Sequence, residues 1–270
     1  MKKLLTPETA KTAEEKTLTI LGELCVLCGK TPHSFALSSG LLTSERGIAL
    51  IVSMMALLLM GALGSALIVM TTIEAKIARN YRSHSESLYA ADAALERAVD
   101  DLGAIPDWNT LLAGTSTSAF VDGPPVGTRT LADSAALDIG EALNRANCAK
   151  ATDCSAADMD AVTLERPWGP NNPRWQLFAY GKLSDMAPSG TVNSPFYVIV
   201  MVGDDPSEND SDPLHDGVSP ANPGSGVLAM RAEAWGPFGA HKVLELTLAR
   251  TNSTGPGPVG LRLLSWREIR

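Results

Sequence analysis

The chain has little of what nucleic-acid binders and common enzymes require. Its 22 Lys and Arg are scattered and outnumbered by 30 Asp and Glu, for a net charge of −8. No basic patch forms, which excludes nucleic acid as a partner. The sequence has no Gly-x-Ser-x-Gly and no His-Glu-x-x-His, so neither a nucleophile elbow nor a zincin helix is present. Gly29-Lys30-Thr31 ends like a phosphate-binding loop, but Leu24 stands where its first glycine is needed. The four histidines, His33, His84, His215 and His241, lie in separate segments and read as structural or solvated. No enzymatic activity is expected. Aromatic residues make up only 5%, while Gly 23 and Pro 17 are plentiful, which predicts a loop-rich domain with a modest core. The Trp-Gly-Pro triplets at Trp168 and Trp235 have unlike surroundings, so there is no repeat.

Cysteine is scarce too. The four form two close pairs, Cys25/Cys28 and Cys148/Cys154, on opposite sides of a long apolar run. The pairs are therefore expected in different redox compartments. Cys25 and Cys28 have zinc-ligand spacing, but His33 is their one nearby partner and a structural zinc needs four ligands. Cys148 and Cys154 enclose five residues. A disulfide is expected there, with two free thiols as the alternative; so short a loop stabilises by about 2–3 kcal/mol at best.

What the chain does have is a 26-residue stretch without charge, from Ile48 to Ile73. As a helix it is about 39 Å long, against about 30 Å of hydrocarbon in a bilayer. It is long enough to span with tilt. A buried soluble helix and a cleaved secretory signal, with Gly64 and Ala66 as small residues near the cut, are the rival readings. Arg46 precedes the run, but Lys76, Arg79 and Arg82 follow it. The positive-inside rule therefore leaves the orientation open.

Beyond the run, Ile73, Ile77, Tyr81, His84, Leu88, Ala91, Leu95, Val99 and Leu102 recur at steps of three or four. This spacing predicts one helix with one apolar face, continuous from Ile48 to Leu102 and roughly 82 Å long. Gly103 and Pro106 end it. Residues 1–47 have too little apolar area for a core and read as a leader. Residues 103–174 lack a strong period and read as an irregular connection with a short helix at 131–145. Residues 175–270 read as β, with strands at 175–182, 196–203, 227–235, 242–250 and 261–269. Gly236-Pro237-Phe238-Gly239 turns the third strand into the fourth. The expected fold class is α+β, a long N-terminal helix packed on an antiparallel sheet.

Asp204, Asp205, Glu208, Asp210, Asp212 and Asp216 form an acidic stretch between two strands, and no Lys or Arg occurs from Ser184 to Met230. Carboxylate-rich loops supply the six to eight oxygens that Ca²⁺ takes. The EF-hand spacing fails, because Leu214 occupies a ligand position. Two readings stand: a solvated acidic loop without cofactor, or a calcium site.

Arg46-Gly47 before Ile48-Ala49-Leu50-Ile51-Val52, and Tyr89-Ala90-Ala91-Asp92-Ala93-Ala94-Leu95-Glu96-Arg97-Ala98 further on, resemble the type IV pilin superfamily, in particular minor pilins of the PilX type. The strands around Gly236-Pro237-Phe238-Gly239 resemble their C-terminal strands. The resemblance implies a prepilin peptidase that cuts between Gly47 and Ile48 and methylates the new N-terminus. It implies a cytoplasmic N-terminus, a single pass through the bacterial inner membrane, and a periplasmic C-terminal domain that can become extracellular in a pilus. It implies other pilins as partners through the helix. Gly61, Gly64 and Ser65 offer small surfaces for such packing. Major pilins carry Glu at the fifth mature position, where this chain has Val52. The departure favours a subunit for assembly or the filament tip over a shaft subunit. It leaves open a K-type tip pseudopilin of type II secretion. From another class, a membrane-tethered hydrolase or binding module remains.

Overall fold

The computed structural model describes residues 45–161, 163–164, 166–186, 192–217, 226–251 and 260–269. The leader up to residue 44, with Cys25, Cys28 and His33, lies outside the described residues. The chain divides into two units, Met1–Ser65 and Ala66–Arg270. Helix α1, Glu45–Leu102, begins in the first and ends in the second.

In the first unit α1 is exposed from Ile48 to Ser65, and its side chains there are almost all apolar. Burying apolar surface is the main driving force of folding in water, so a bare apolar helix is a helix meant for another environment. The helix from Ile48 on is long and apolar enough to cross a membrane, and none of its most apolar stretch is covered by the protein.

The second unit is built on a five-stranded antiparallel sheet: β3 Gln176–Lys182, β4 Tyr197–Asp204, β5 Val227–Trp235, β6 His241–Thr251 and β7 Gly260–Ile269, in that order across the sheet. Each strand pairs antiparallel with its chain neighbour. Before the sheet come α2 Asn109–Leu112, a small ribbon of β1 Thr128–Thr130 and β2 Ala136–Asp138, α3 Ile139–Cys148 and α4 Ala156–Asp160. A single helical turn, α5 Leu183–Met186, follows β3.

Alternation along the strands makes two packed faces. Val198, Val200 and Val202 of β4, Leu228, Met230, Ala232 and Ala234 of β5, and Leu244, Leu246 and Leu248 of β6 share one core with α1 and with Trp108, Leu111 and Leu112. Tyr197, Ile199 and Met201 face the other way, onto Leu137, Ile139, Ala142 and Ala146 of the β2–α3 segment. That is why all of β4 is buried. The stretch expected to be an irregular connection thus supplies the second layer over the sheet.

Two sequence expectations need correction. The helix expected at 131–145 begins at Ile139, because Ala136–Asp138 pairs as a strand and Asp138 then caps the helix, its carboxylate accepting from the Glu141 N–H at 2.9 Å. The packing face of α1 also starts later than the apolar spacing implied. Ile73, Ile77 and Tyr81 are exposed; the buried face is Ser83, Ser87, Ala90, Ala91, Ala94, Leu95, Ala98 and Leu102. Small side chains let the helix approach the sheet closely, so the contact stripe is marked by size as well as by hydrophobicity.

Candidate functional site

Three features qualify as functional: the bare length of α1, the acidic end of the sheet, and a buried charge row on the sheet's second face.

On α1 the expected packing residues are all exposed. A side chain added at Gly61 or Gly64 would meet nothing within 4 Å. The Ser65 hydroxyl donates to the Ala62 carbonyl at 2.9 Å, which satisfies it within the helix. Val52, at 59% exposed, is as open as its neighbours. Gly47 and Ile48 lie in the first turn of the described helix.

The acidic end lies where β4 stops and β5 starts. Of the six carboxylates named from the sequence, the fold gathers three. Ligand oxygens of Asp204, Glu208 and Asp216 lie within 4.8 Å of one another. Asp204 and Glu208 are buried, and Oδ1 of Asp204 has no hydrogen-bond partner among the described residues. Burial, then the neighbouring Glu208 carboxylate, push the Asp204 carboxyl up to about 8. Burial raises Glu208 and Asp216 as well. Asp216 is fixed from two sides: its N–H donates to the Asn109 side chain at 2.9 Å, and its carboxylate accepts from the Gly226 N–H at 2.7 Å. The Arg250 guanidinium, stacked 4.0 Å over the Trp108 ring, lends it opposite charge.

The other three acids of the six lie outside this cluster. Asp205 accepts from the Ser207 hydroxyl. Asp210 accepts from the Asp212 N–H at 2.8 Å. Asp212 faces His215 at 3.0 Å and, by that hydrogen bond, raises the imidazole above its ordinary range. Local turn geometry uses these carboxylates up.

Cys148 and Cys154 are joined by a disulfide at the end of α3. It closes the turn into α4, whose start is a capping box between Ser155 and Asp158.

Sequence reading missed the third feature. Register places Arg231 of β5 opposite Glu245 of β6, and Glu245 opposite Arg267 of β7. Arg231 donates to Glu233 at 2.8 Å and to Glu245 at 2.9 Å, and Arg267 donates to Glu245 at 2.5 Å. His241 meets Glu233 at 2.9 Å and stacks on Trp235. Arg231 and Glu233 are both buried. Every charge in the row is matched, so it reads as a clamp across three strands rather than a catalytic set. The signal available beforehand was alternation alone: residues 231 and 233 share a face, but only register shows that 245 and 267 join them.

Residues 46–96 match the family model PilX N-terminal. This segment is similar to the N-terminal region of PilX-type proteins. It begins at Arg46-Gly47 and covers the apolar length of α1 and most of the face that docks on the sheet. It stops before the strands from 196 to 250, whose likeness to pilins is not part of the match. No curated protein and no solved structure matches the chain. The match, together with one helix long and apolar enough to cross a membrane, supports a single-pass membrane protein with a minor-pilin-like role. The PilX family is structural, and it works with other pilus components.

Proposed function

We propose that the chain is a minor pilin that assists assembly, or forms the tip, of a type IV pilus-like filament. The observation that carries this is one helix with two different surroundings. Its first part is apolar and bare, and its second part is buried on a sheet by small residues. A helix of that kind holds a folded domain at a membrane and can later trade lipid for neighbouring helices, at Gly61, Gly64 and Ser65 among other positions. In this reading prepilin peptidase removes residues 1–47 on the cytoplasmic side, and the sheet domain lies in the periplasm. Val52 lacks the charge that a shaft subunit would bury beside its neighbour's N-terminus, because an unpaired charge in lipid is expensive.

N-terminal sequencing and intact-mass analysis of chain extracted from membranes test this. The expected N-terminus is methylated Ile48, and Gly47→Val is expected to leave the leader attached. A chain that starts at Met1, or one cut near Ala66, would sink the reading.

The acidic end supports a second proposal: Asp204, Glu208 and Asp216 hold Ca²⁺. Two oxygens on one Ca²⁺ at about 2.4 Å each can lie up to about 4.8 Å apart, and the three ligand oxygens here all lie within that distance of one another. The buried Asp204 Oδ1, without a hydrogen-bond partner, is the atom a cation would satisfy. In EDTA-stripped full chain, 1 mM Ca²⁺ is expected to raise Tm by about 5 °C or more, as for a ligand at about 100 Kd. Asp204→Asn should abolish the rise. An unmoved wild-type Tm would refute the site without touching the pilin reading.

A further inference from the structure

Three basic residues just past the apolar run, Lys76, Arg79 and Arg82, blunt the charge asymmetry that would orient a membrane helix, and neither proposal above uses them. Arg82 pairs with Glu86 at 2.7 Å, which leaves Lys76 and Arg79 with one acid, Glu74, within residues 73–83, in a chain of net charge −8. The fold adds to them. The turn between β5 and β6 docks on α1 at this point: the Ser83 hydroxyl donates to the Pro237 carbonyl at 2.9 Å, and the Arg79 guanidinium lies 5.2 Å from the centre of the Phe238 ring. Lys76 and Ser83 are seven residues apart, so Lys76 lies about two turns back on nearly the same helix face.

Phe238 is the odd residue of that turn. Its φ is 63°, in the left-handed region that a bulky side chain rarely adopts. The strained backbone holds the ring outward, 60% exposed. Tyr81, 78% exposed, is on the same stretch of helix. Exposed aromatic rings beside basic residues, immediately after an apolar span, form the pattern found where proteins cross the membrane–water boundary.

The helix rise places Lys76 within the headgroup layer and the Arg79 backbone at its outer edge, from which the long side chain can reach back, while Ser83 lies beyond it. Counting from Ile73, the helix rise puts Lys76 about 4.5 Å, Arg79 about 9 Å and Ser83 about 15 Å along the axis. The polar headgroup layer is about 5–8 Å deep on each side of the hydrocarbon. The sheet is polarised in the same sense. Lys182, Tyr197, Trp235 and His241 pair in one row beside the turn. Asp204, paired with Leu228, ends β4 at the acidic end, about 25 Å away.

We infer that Lys76, Arg79 and the Phe238 turn form a lipid-facing surface that binds anionic phospholipid headgroups, seating the sheet domain on the bilayer with its acidic end pointing away. The inference rests on the membrane reading of Ile48–Ile73. Each basic residue near an anionic surface strengthens binding about fivefold, so the surface holds the domain reversibly and lets it leave when the helix enters a filament.

The test uses full chain in nanodiscs of phosphatidylcholine alone, or of phosphatidylcholine with one-third phosphatidylglycerol, read by amide hydrogen exchange of the peptide spanning 236–241. Exchange is expected to slow about fivefold or more in the anionic discs, and the slowing should vanish in 0.5 M NaCl. Lys76→Glu with Arg79→Glu should abolish it. Lys76→Glu alone, which spares the Arg79–Phe238 contact, should weaken it without altering exchange in neutral discs. Equal exchange in both lipid compositions, or a Lys76→Glu protein that behaves as wild type, overturns the inference. Carbonate extraction of the same preparations separates the two failures: a chain that resists extraction keeps the membrane reading, and one that is stripped off loses both.

Discussion

Arg231→Met is expected to lower the stability of the sheet domain by about 3–5 kcal/mol, the usual cost of breaking a buried ion pair by removing one partner. The volume is roughly kept, so packing is not the cause. Arg231 donates to both Glu233 and Glu245, and Glu233 is buried. Without it Glu233 keeps His241, Glu245 keeps Arg267, and each carboxylate loses a charge-assisted hydrogen bond in a low-dielectric setting. Urea denaturation of full chain in detergent, followed by near-ultraviolet circular dichroism, gives the number. A loss below about 1 kcal/mol, typical of exposed pairs, would show that water screens the row.

The penalty should depend on pH with a definite sign. Burial works to raise the Glu233 pKa, but the hydrogen bond to His241 and the Arg231 charge overcome it, and the net direction is below the ordinary 4.5. A carboxylate with a lowered folded pKa adds stability above its unfolded pKa and loses it as pH falls through the folded one. Wild type is therefore expected to lose stability below about pH 4.5. The gap between wild type and Arg231→Met should narrow over the same range, because the Glu233 carboxylate becomes neutral. A gap that stays constant down to pH 3 would count against this account.

Phe178→Ala is expected to cost a further measure of the same order, about 3–5 kcal/mol, through a different mechanism. Phe178 is fully buried on β3 in the core that faces α1. Its carbonyl accepts from the Ser118 N–H at 2.8 Å, which ties the preceding segment to the sheet edge. The cavity would lie in the core that the helix shares with the sheet, and a smaller collapse there means a larger loss. With about 2–4 °C of Tm per kcal/mol in a domain of this size, a fall of about 6–20 °C is expected by scanning calorimetry. Leu263→Ala, a change at an exposed apolar side chain of β7, should move Tm by less than about 2 °C. Equal effects of the two would mean that the helix-facing core is not the source of stability.

The helix and the strands were legible because each depends on local pattern. A charge-free run of bilayer length, a stripe at steps of three and four, and a Gly-Pro turn between apolar runs each arise from backbone geometry within a few residues. Arg46-Gly47 and the apolar run also carried the family, since that segment is where the PilX N-terminal match falls. The small helix face was harder to see. Ala90, Ala94 and Ala98 carry little hydrophobic signal, yet their size sets how near the sheet can come.

The long apolar helix, the five strands and the hairpin between the third and fourth were determined by sequence alone, because hydrophobic period and turn chemistry act over short distances. Only tertiary structure decided which three of six acids meet, which face of α1 is covered, and that Glu245 stands between Arg231 and Arg267. Those outcomes depend on strand register and on loops that close over tens of residues. A one-residue slip would turn each of these side chains to the opposite face.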